Sequence, residues 1–207
     1  MTSDTAAARE ARGTGADGVP NPVMHHINLK TTRLGELIDW YGEVAGMRPN
    51  FRSEVIAFLT NDAANHRLAL LAVPGLRDDP DKVAHTGMHH SAFEFDTLEQ
   101  LLIRYETLKT KGIVPHACLD HGLTTSFYYE DPDGNSVELQ ADNFGDWAAS
   151  TEWVRNAPEF VANPIGVYVD PDLMLGAHRE GSSADELHRR GYAGEFAPAT
   201  PQDLHLP

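Results

Sequence analysis

Two pairs of adjacent histidines begin two similar segments of the chain. His25 and His26 precede the residues INLK, and His89 and His90 precede the residues SAFEF. Neighbouring residues of a strand point to opposite faces, so only one histidine of each pair can face an interior. His26 and His90 alternate with the more polar positions of their segments, whereas the other two alternate with more apolar ones. The pattern predicts that His26 and His90 form a matched, inward-facing pair.

Glu138 is the third side chain of the predicted site. It lies within the apolar run Val-Glu-Leu, and a carboxylate is costly to bury there without a cation or strong donors. Two imidazoles and one carboxylate form a ligand set that suits Fe(II) and leaves coordination positions open, and Mn(II) suits the same set. Taken singly, each residue has a simpler interpretation as a hydrogen-bonded core histidine or a surface glutamate. Their repeat-related positions favour one metal site.

The elements that must position these side chains occur twice along the chain. Alternating and helical spacings predict a strand over 25–31, a helix over 34–46 and strands over 55–62 and 66–73. The same order returns as a strand over 89–95, a helix over 98–112 and strands over 113–119, 126–130 and 136–140. DPDG at 131–134 has the composition of a hairpin turn.

The spacing of matched residues supports an internal repeat. The separation of His26 from His90 equals that of Tyr41 from Tyr105. A slightly longer separation is shared by three later pairs, namely Phe58 and Phe127, Asp62 and Asp131, and Leu70 and Leu139. We therefore predict an α+β fold of two tandem β-α-β-β-β modules, 22–80 and 87–142, that form a pseudo-symmetric open barrel around a metal site. The alternative is a coincidence of spacing in an ordinary α+β domain.

Ala69 bears on how many ligands the site has. It precedes Glu138 by the same separation as the three later pairs of the repeat, so it occupies the position where the repeat would place a fourth ligand. Alanine cannot bind a metal. The sequence thus predicts a three-ligand site with room for a substrate.

The remaining segments are expected to lie outside the two modules. Residues 1–20 are rich in Ala, Gly and charge, which predicts a disordered N-terminal tail. Residues 21–145 form the predicted single domain. Residues 146–207, with prolines at 158, 164 and 171, are expected to be an extension that packs on the core or on a neighbouring subunit.

Composition limits the functional classes. Acidic residues outnumber basic ones, 31 to 16, for a formal charge of −15, and this charge disfavours nucleic-acid binding. The sequence contains no run of about 18 apolar residues, the length that a membrane span would require. The N-terminus lacks the apolar segment that a secretory signal needs. With Cys118 as the only cysteine, a cytoplasmic location is expected.

The motifs H-x-x-L, H-x-x-F and DPDGNSVELQ, in this order, resemble the vicinal oxygen chelate (glyoxalase/bleomycin resistance/dioxygenase) superfamily. The longer runs HGLTTSFYYEDPDGNSVELQADNF, HHINLKTTRLGELIDWYGEVAGM and NHRLALL are similar to its one-domain type I extradiol catechol dioxygenases. That resemblance implies an enzyme that inserts both atoms of O2 into a small aromatic diol, with Fe(II) or Mn(II) as cofactor, and a homo-oligomer is expected.

The same resemblance implies a role for six residues. The metal ligands would be His26, His90 and Glu138. His66 would be the acid/base that exchanges a proton with the substrate, and Tyr128 would donate a hydrogen bond to oxygen as charge develops. His121, in the HG turn, is the third catalytic candidate. The alternatives are a glyoxalase-like metal-dependent isomerase or lyase, whose site usually has a fourth ligand, and a metal-free small-molecule binding protein of the same fold.

Overall fold

The computed structural model describes residues 13–207, so residues 1–12 of the predicted N-terminal tail lie outside the described part of the chain. Residues 13–20 form a small turn in which Gly15 N–H donates to Val19 O at 2.9 Å and Thr14 pairs with Pro20. None of the described helices is long and apolar enough to cross a membrane.

The first module is a strand, a helix and three further strands. Its elements are β1 (Ile27–Lys30), α1 (Leu34–Ala45), β2 (Arg48–Arg52), β3 (Ile56–Thr60) and β4 (Leu68–Leu71). Helix α1 buries Leu37, Ile38, Tyr41 and Val44, a spacing that defines one apolar face. It ends at Gly46, whose φ of 64° provides the left-handed cap that a side chain would strain.

The second module repeats this order. It contains β5 (His90–Phe95), α2 (Leu98–Thr110), β6 (Ala117–Asp120), β7 (Thr124–Glu130) and β8 (Ser136–Asp142). Helix α2 begins after Thr97, whose hydroxyl accepts a hydrogen bond from Gln100 N–H. The predicted pair of β-α-β-β-β modules is confirmed.

Each module has its own open sheet, so the barrel is not closed. The first sheet has the order β1-β4-β3-β2, and the second has β5-β8-β7-β6-β9, with β9 (Val167–Tyr168) supplied by the C-terminal extension. In both sheets the first strand pairs in parallel with the last strand of its module, and the other pairs are antiparallel. The first residues of the two modules therefore lie at equivalent sheet edges.

The two faces of each sheet differ in character. Leu68 and Leu70 pack in the core beneath α1, and Val137 and Leu139 belong to the buried apolar clusters around the two helices. Because successive residues of a strand alternate, Ala69 and Glu138 lie on the opposite face of their sheets. We call this opposite face of the second sheet the site face.

The strand register corrects one part of the predicted repeat. Phe58 pairs with Ala69, and Tyr128 pairs with Glu138. Phe58 is thus the counterpart of Tyr128, and the predicted match of Phe58 with Phe127 is wrong by one residue. The cause is the connection between the last two strands, which is one residue longer in the first module than at the DPDG turn.

Some elements carry no clear signal in the sequence. Strand β2 contains Pro49, which argues against a strand in a sequence because proline is confined to edge strands and bulges, and all its residues are exposed. Helices α4 (Pro158–Ala162) and α5 (Pro171–Arg179) each begin with proline. Proline is favourable in the first turn of a helix, although in a sequence it is easily taken for a residue that ends a helix. Helices α3 (Trp147–Asn156) and α6 (Ala184–Tyr192) lie close to the stretches where short helices are plausible.

The C-terminal extension packs on the second module. Its buried Val169, Met174 and Leu187 belong to the same apolar cluster as Leu101 and Phe127. The hydroxyl of buried Tyr105 also donates to Asp172 Oδ1 at 2.8 Å, which ties α5 to α2. The extension therefore shares the core of this module.

Candidate active site

His90 and Glu138 lie together at the site face. Strands β5 and β8 run parallel with Ala92 opposite Glu138, so His90, two positions earlier, projects from the same face. His90 Nε2 is 3.1 Å from Glu138 Oε2, and Glu138 is only 5% exposed. Burial raises the pKa of Glu138, but hydrogen bonds from His90 and Ser126 outweigh it and hold that pKa below its ordinary value. The site thus contains a buried, ionised carboxylate.

Tyr128 and His121 extend this group. The Tyr128 hydroxyl donates to Glu138 Oε1 at 3.1 Å, and His121 Nε2 is 2.8 Å from the same hydroxyl. Burial, followed by the nearby charge of Glu138, raises the pKa of Tyr128 well above its ordinary value. Tyr128 therefore keeps its proton and serves as a hydrogen-bond donor.

His121 has a defined orientation. Its Nδ1 is 2.5 Å from the carbonyl oxygen of Ile165, in the C-terminal extension. Because a carbonyl oxygen only accepts, this contact places a proton on Nδ1, while Nε2 faces the Tyr128 hydroxyl.

His26 and His66 form a second group in the first module. Both precede strands, β1 and β4, that pair in parallel, and their ring centroids are 4.3 Å apart. The His66 ring also stacks on Phe58 at 4.6 Å. Partial desolvation, then the charges of His26 and His25, lower the pKa of His66. The neutral form of His66 is thereby favoured at pH 7.

His25 is closer to this second group than the sequence predicted. Potential ligand atoms of His25, His26 and His66 lie within 4.8 Å of one another. Strand β1 begins at Ile27, so His25 and His26 both precede the strand and the alternation of strand faces does not separate them. The assignment of His26 rather than His25 as ligand stays a prediction.

The structure brings the six candidates into two groups, His90, Glu138, Tyr128 and His121 in the second module and His26 with His66 in the first. Within residues 13–207, no hydrogen bond or ring contact joins the two groups. A metal held by the three predicted ligands would be shared between the modules, as the repeat predicts.

Two further residues near the site were missed by the sequence analysis. His116 is half-buried, stacks on His205 with centroids 3.9 Å apart and lies 6.2 Å from the Tyr128 ring. Leu204 packs against the apolar cluster of Ala117, Leu119 and Tyr128. Both contacts depend on the C-terminal residues folding back across the second sheet, for which the sequence has no signal.

A family model described as Glyoxalase/Bleomycin resistance protein/Dioxygenase superfamily matches residues 23–139, more than half of the chain. The chain belongs to this superfamily. The matched superfamily residues include all six candidate site residues, and the family predicted from the motifs is confirmed.

Two relatives show which members of the superfamily this chain is similar to. The chain is 42% identical to "Biphenyl-2,3-diol 1,2-dioxygenase 2" of Rhodococcus globerulus over 183 residues, 88% of this chain and 95% of the relative. It is 38% identical to "Biphenyl-2,3-diol 1,2-dioxygenase 3" of the same organism, over 83% of this chain and 90% of the relative. Both relatives are named as dioxygenases of an aromatic diol.

A solved structure agrees in fold. The crystal structure of a glyoxylase/bleomycin resistance protein/dioxygenase domain from Frankia sp. EAN1pec superposes with a TM-score of 0.51 at 17% identity, and the match covers 59% of this chain and 93% of that chain. The first relative aligns over 183 residues, more than the superfamily domain contains, so the similarity continues into the C-terminal extension.

Proposed function

We propose that this protein is a metal-dependent extradiol dioxygenase that opens the ring of a small aromatic diol and inserts both atoms of O2. The observation that carries the proposal is the ionised Glu138, buried at the site face with His90 on one oxygen and Tyr128 on the other. A buried carboxylate beside an imidazole is a pairing that a divalent cation would stabilise.

The proposed metal ligands are His26, His90 and Glu138, with Fe(II) as the metal and Mn(II) as the alternative. Their chemistry fits: two imidazole nitrogens and one charged oxygen, with Ala69 unable to add a fourth ligand. The metal would supply a Lewis acid that lowers the pKa of the diol and a common binding centre for diol and O2. The other steps depend on side chains of the chain itself.

Three side chains are proposed to act on the substrate. His66, whose neutral form is favoured, accepts a proton from the diol and later returns it. Tyr128 remains protonated and donates a hydrogen bond to a substrate oxygen as negative charge develops. His121, through Nε2, orients the Tyr128 hydroxyl and adds a polar group to the pocket.

The substrate is proposed to be a catechol with an apolar substituent, as in the diols that the two Rhodococcus relatives are named for. An apolar surface of Ala117, Leu119 and Leu204 adjoins the Tyr128 ring and supports this choice, because a second ring would need such a surface. A cytoplasmic location, which fits the single buried Cys118, and a homo-oligomeric state complete the proposal.

A reconstitution experiment tests the proposal. The purified chain is loaded anaerobically with Fe(II) or Mn(II), its metal content is measured, and O2 uptake is followed on adding catechol or biphenyl-2,3-diol. We expect about one O2 consumed for each ring opened, together with a coloured ring-opened product. His90→Ala and Glu138→Ala should lose metal and activity together.

Matched variants keep the test specific. His178→Ala, on the outer helix α5, should keep wild-type metal content and turnover. His25→Ala and His26→Ala are compared in parallel, and only His26→Ala should lose the metal. Metal binding without O2 uptake with any catechol would favour the isomerase alternative, and full metal content in His90→Ala would exclude the proposed ligand set.

A further inference from the structure

The turn that carries His121 is held by the C-terminal extension at several points. We infer that Asp120 and His188 are a positioning pair that fixes this turn, residues 120–123, so that His121 faces Tyr128. The inference rests on the proposed function, and it assigns a catalytic contribution to the extension beyond its packing on the core.

Asp120 is the centre of the pair. It is the last residue of β6 and is fully buried. Its Oδ1 accepts hydrogen bonds from Gly122 N–H at 2.8 Å and from Asn143 Nδ2 at 3.2 Å, and its Oδ2 lies 2.7 Å from Nδ1 of His188 in α6. A buried carboxylate of this kind is tolerated only when its oxygens are satisfied. Without His188, Oδ2 would be left without this partner in the interior.

The carboxylate directly shapes the turn. Gly122 has a φ of 84°, a conformation that residues with a Cβ rarely adopt, and its N–H is bonded to Asp120. A Cβ at Gly122 would lie 2.2 Å from the Trp153 ring of α3, so the turn fits closely beneath this helix. The backbone of His121, between Asp120 and Gly122, is therefore held on both sides.

The backbone of the extension completes the contact. Strand β9 pairs with β6, with Val167 opposite Asp120. A Cβ at Gly166 would lie 2.1 Å from Asp120 O and 2.6 Å from His121 Cα, so glycine is required for this approach. The approach brings Ile165 O within 2.5 Å of His121 Nδ1. The pair therefore controls both the position of the imidazole and the nitrogen that faces Tyr128.

The test compares His188 variants in two backgrounds. Placement errors of about 1 Å in a catalytic group can cost up to ~10²-fold in rate, so His188→Ala should lower kcat by roughly 10-fold or more, with little change in KM or metal content. His188→Gln, which retains a donor, should recover much of the loss. In a His121→Ala background, His188→Ala should cause no further loss of kcat, because the group that it positions is gone.

Other outcomes would overturn the inference. An equal loss of kcat from His188→Ala in both backgrounds, tracking a lower unfolding midpoint, would reduce the pair to a purely structural role. Unchanged turnover in His121→Ala, in an enzyme that still opens diols, would remove the inference and leave the proposed function standing. His178→Ala, with wild-type turnover expected, controls for loss of a histidine from the extension.

A second readout does not depend on turnover. Nitrogen-15 NMR of the His121 ring in the metal-free protein should show the proton on Nδ1 in the wild type and a mixture of tautomers in His188→Ala. A wild-type spectrum in that variant would contradict the inference even if the chain opened no diol. The proposed function and the positioning role can thus fail separately.

Discussion

Glu138 shows how a single residue connects stability with function. Its desolvation in a strand of apolar neighbours is unfavourable, and the contacts with His90 and Tyr128 offset part of that cost. Both of these partners are themselves candidate site residues. The charge that is costly in the metal-free chain is the charge that a divalent cation would bind.

His66 provides a direct test of acid/base chemistry. Replacing it with asparagine removes the proton-accepting ring beside His26 and retains a polar side chain. We expect wild-type metal content and a fall in kcat of ~10²-fold or more, the usual size for loss of a general acid/base. The measurements are metal analysis and steady-state kinetics between pH 6 and 9.

His25→Asn is the control for the His66 variant, since it removes a neighbouring imidazole that has no proposed proton-transfer role. It should retain turnover. If His66→Asn turned over diols at the wild-type rate over the whole pH range, His66 would have only a packing role against Phe58.

Ala69 tests whether the site is open. It is 1% exposed and lies at the register position of Glu138, between Asn28 and Phe58. Ala69→Glu buries a charge, so the metal-free variant should be less stable than the wild type, and added metal should raise its unfolding midpoint more than that of the wild type. The new ligand should also suppress diol binding and turnover.

Ala69→Gln, of nearly equal size and without charge, separates overpacking from ligation. It should be destabilised without the extra response to metal. Unaltered diol turnover in Ala69→Glu would show that Ala69 does not face the metal and would remove the argument for an open position.

At the scale of elements, the sequence predicts what is periodic. Helix α1 and the strands that carry His90, Tyr128 and Glu138 follow from apolar spacing, and the repeat correctly placed two similar modules. Strand β2 was missed because Pro49 argues against a strand, and its formation depends on pairing with β3. The match of Phe58 with Tyr128 could not be predicted because it depends on one residue in a connecting turn.

The contact between α1 and the turn after β7 links the two modules. The hydroxyl of buried Tyr41 donates to Asp131 Oδ2 at 3.1 Å, and burial raises the pKa of Asp131 while the hydrogen bonds that it accepts oppose that rise. Tyr41→Phe should lower the free energy of unfolding by about 1–3 kcal/mol at pH 7, the cost of a buried group that loses a partner.

The stability loss in Tyr41→Phe should depend on pH. The hydroxyl stabilises the charged form of Asp131, so the loss of unfolding free energy should be largest above the folded-state pKa of Asp131. The difference between variant and wild type should become smaller as the pH falls through that pKa. Urea unfolding at pH 7 and pH 4 measures the difference. Tyr129→Phe is the matched control, because that buried hydroxyl has no hydrogen-bond partner among residues 13–207. A similar loss of stability there would contradict the assignment.

At the scale of the whole molecule, the C-terminal residues join the extension to the site face. The Gln202 carboxamide accepts from Cys118 N–H at 2.6 Å, and the carbonyl oxygens of Asp203 and Leu204 lie 2.6 and 2.8 Å from ring nitrogens of His116 and His89. These contacts join residues far apart in sequence through irregular backbone. No periodicity encodes such contacts, so the sequence could predict an extension but not its course.

Leu204 is the residue of the C-terminal tail that should affect which diol the enzyme prefers. It packs against the cluster of Ala117, Leu119 and Tyr128, so it adds an apolar wall next to the residue proposed to contact the diol. Leu204→Ala removes that wall and leaves the backbone contacts of the tail in place. We expect KM for biphenyl-2,3-diol to rise by roughly 10-fold, within the range for a lost apolar contact, and KM for catechol to change much less.

The comparison with Leu206→Ala isolates the effect of the wall, because Leu206 belongs to the same tail but is 56% exposed. That variant should match the wild type with both diols. Since the diol oxygens of both substrates are proposed to bind the same metal, only the second ring should report the loss of Leu204. Equal increases in KM for catechol and biphenyl-2,3-diol would mean that Leu204 supports Tyr128 instead of contacting the substituent, and the tail would then have no part in substrate selection.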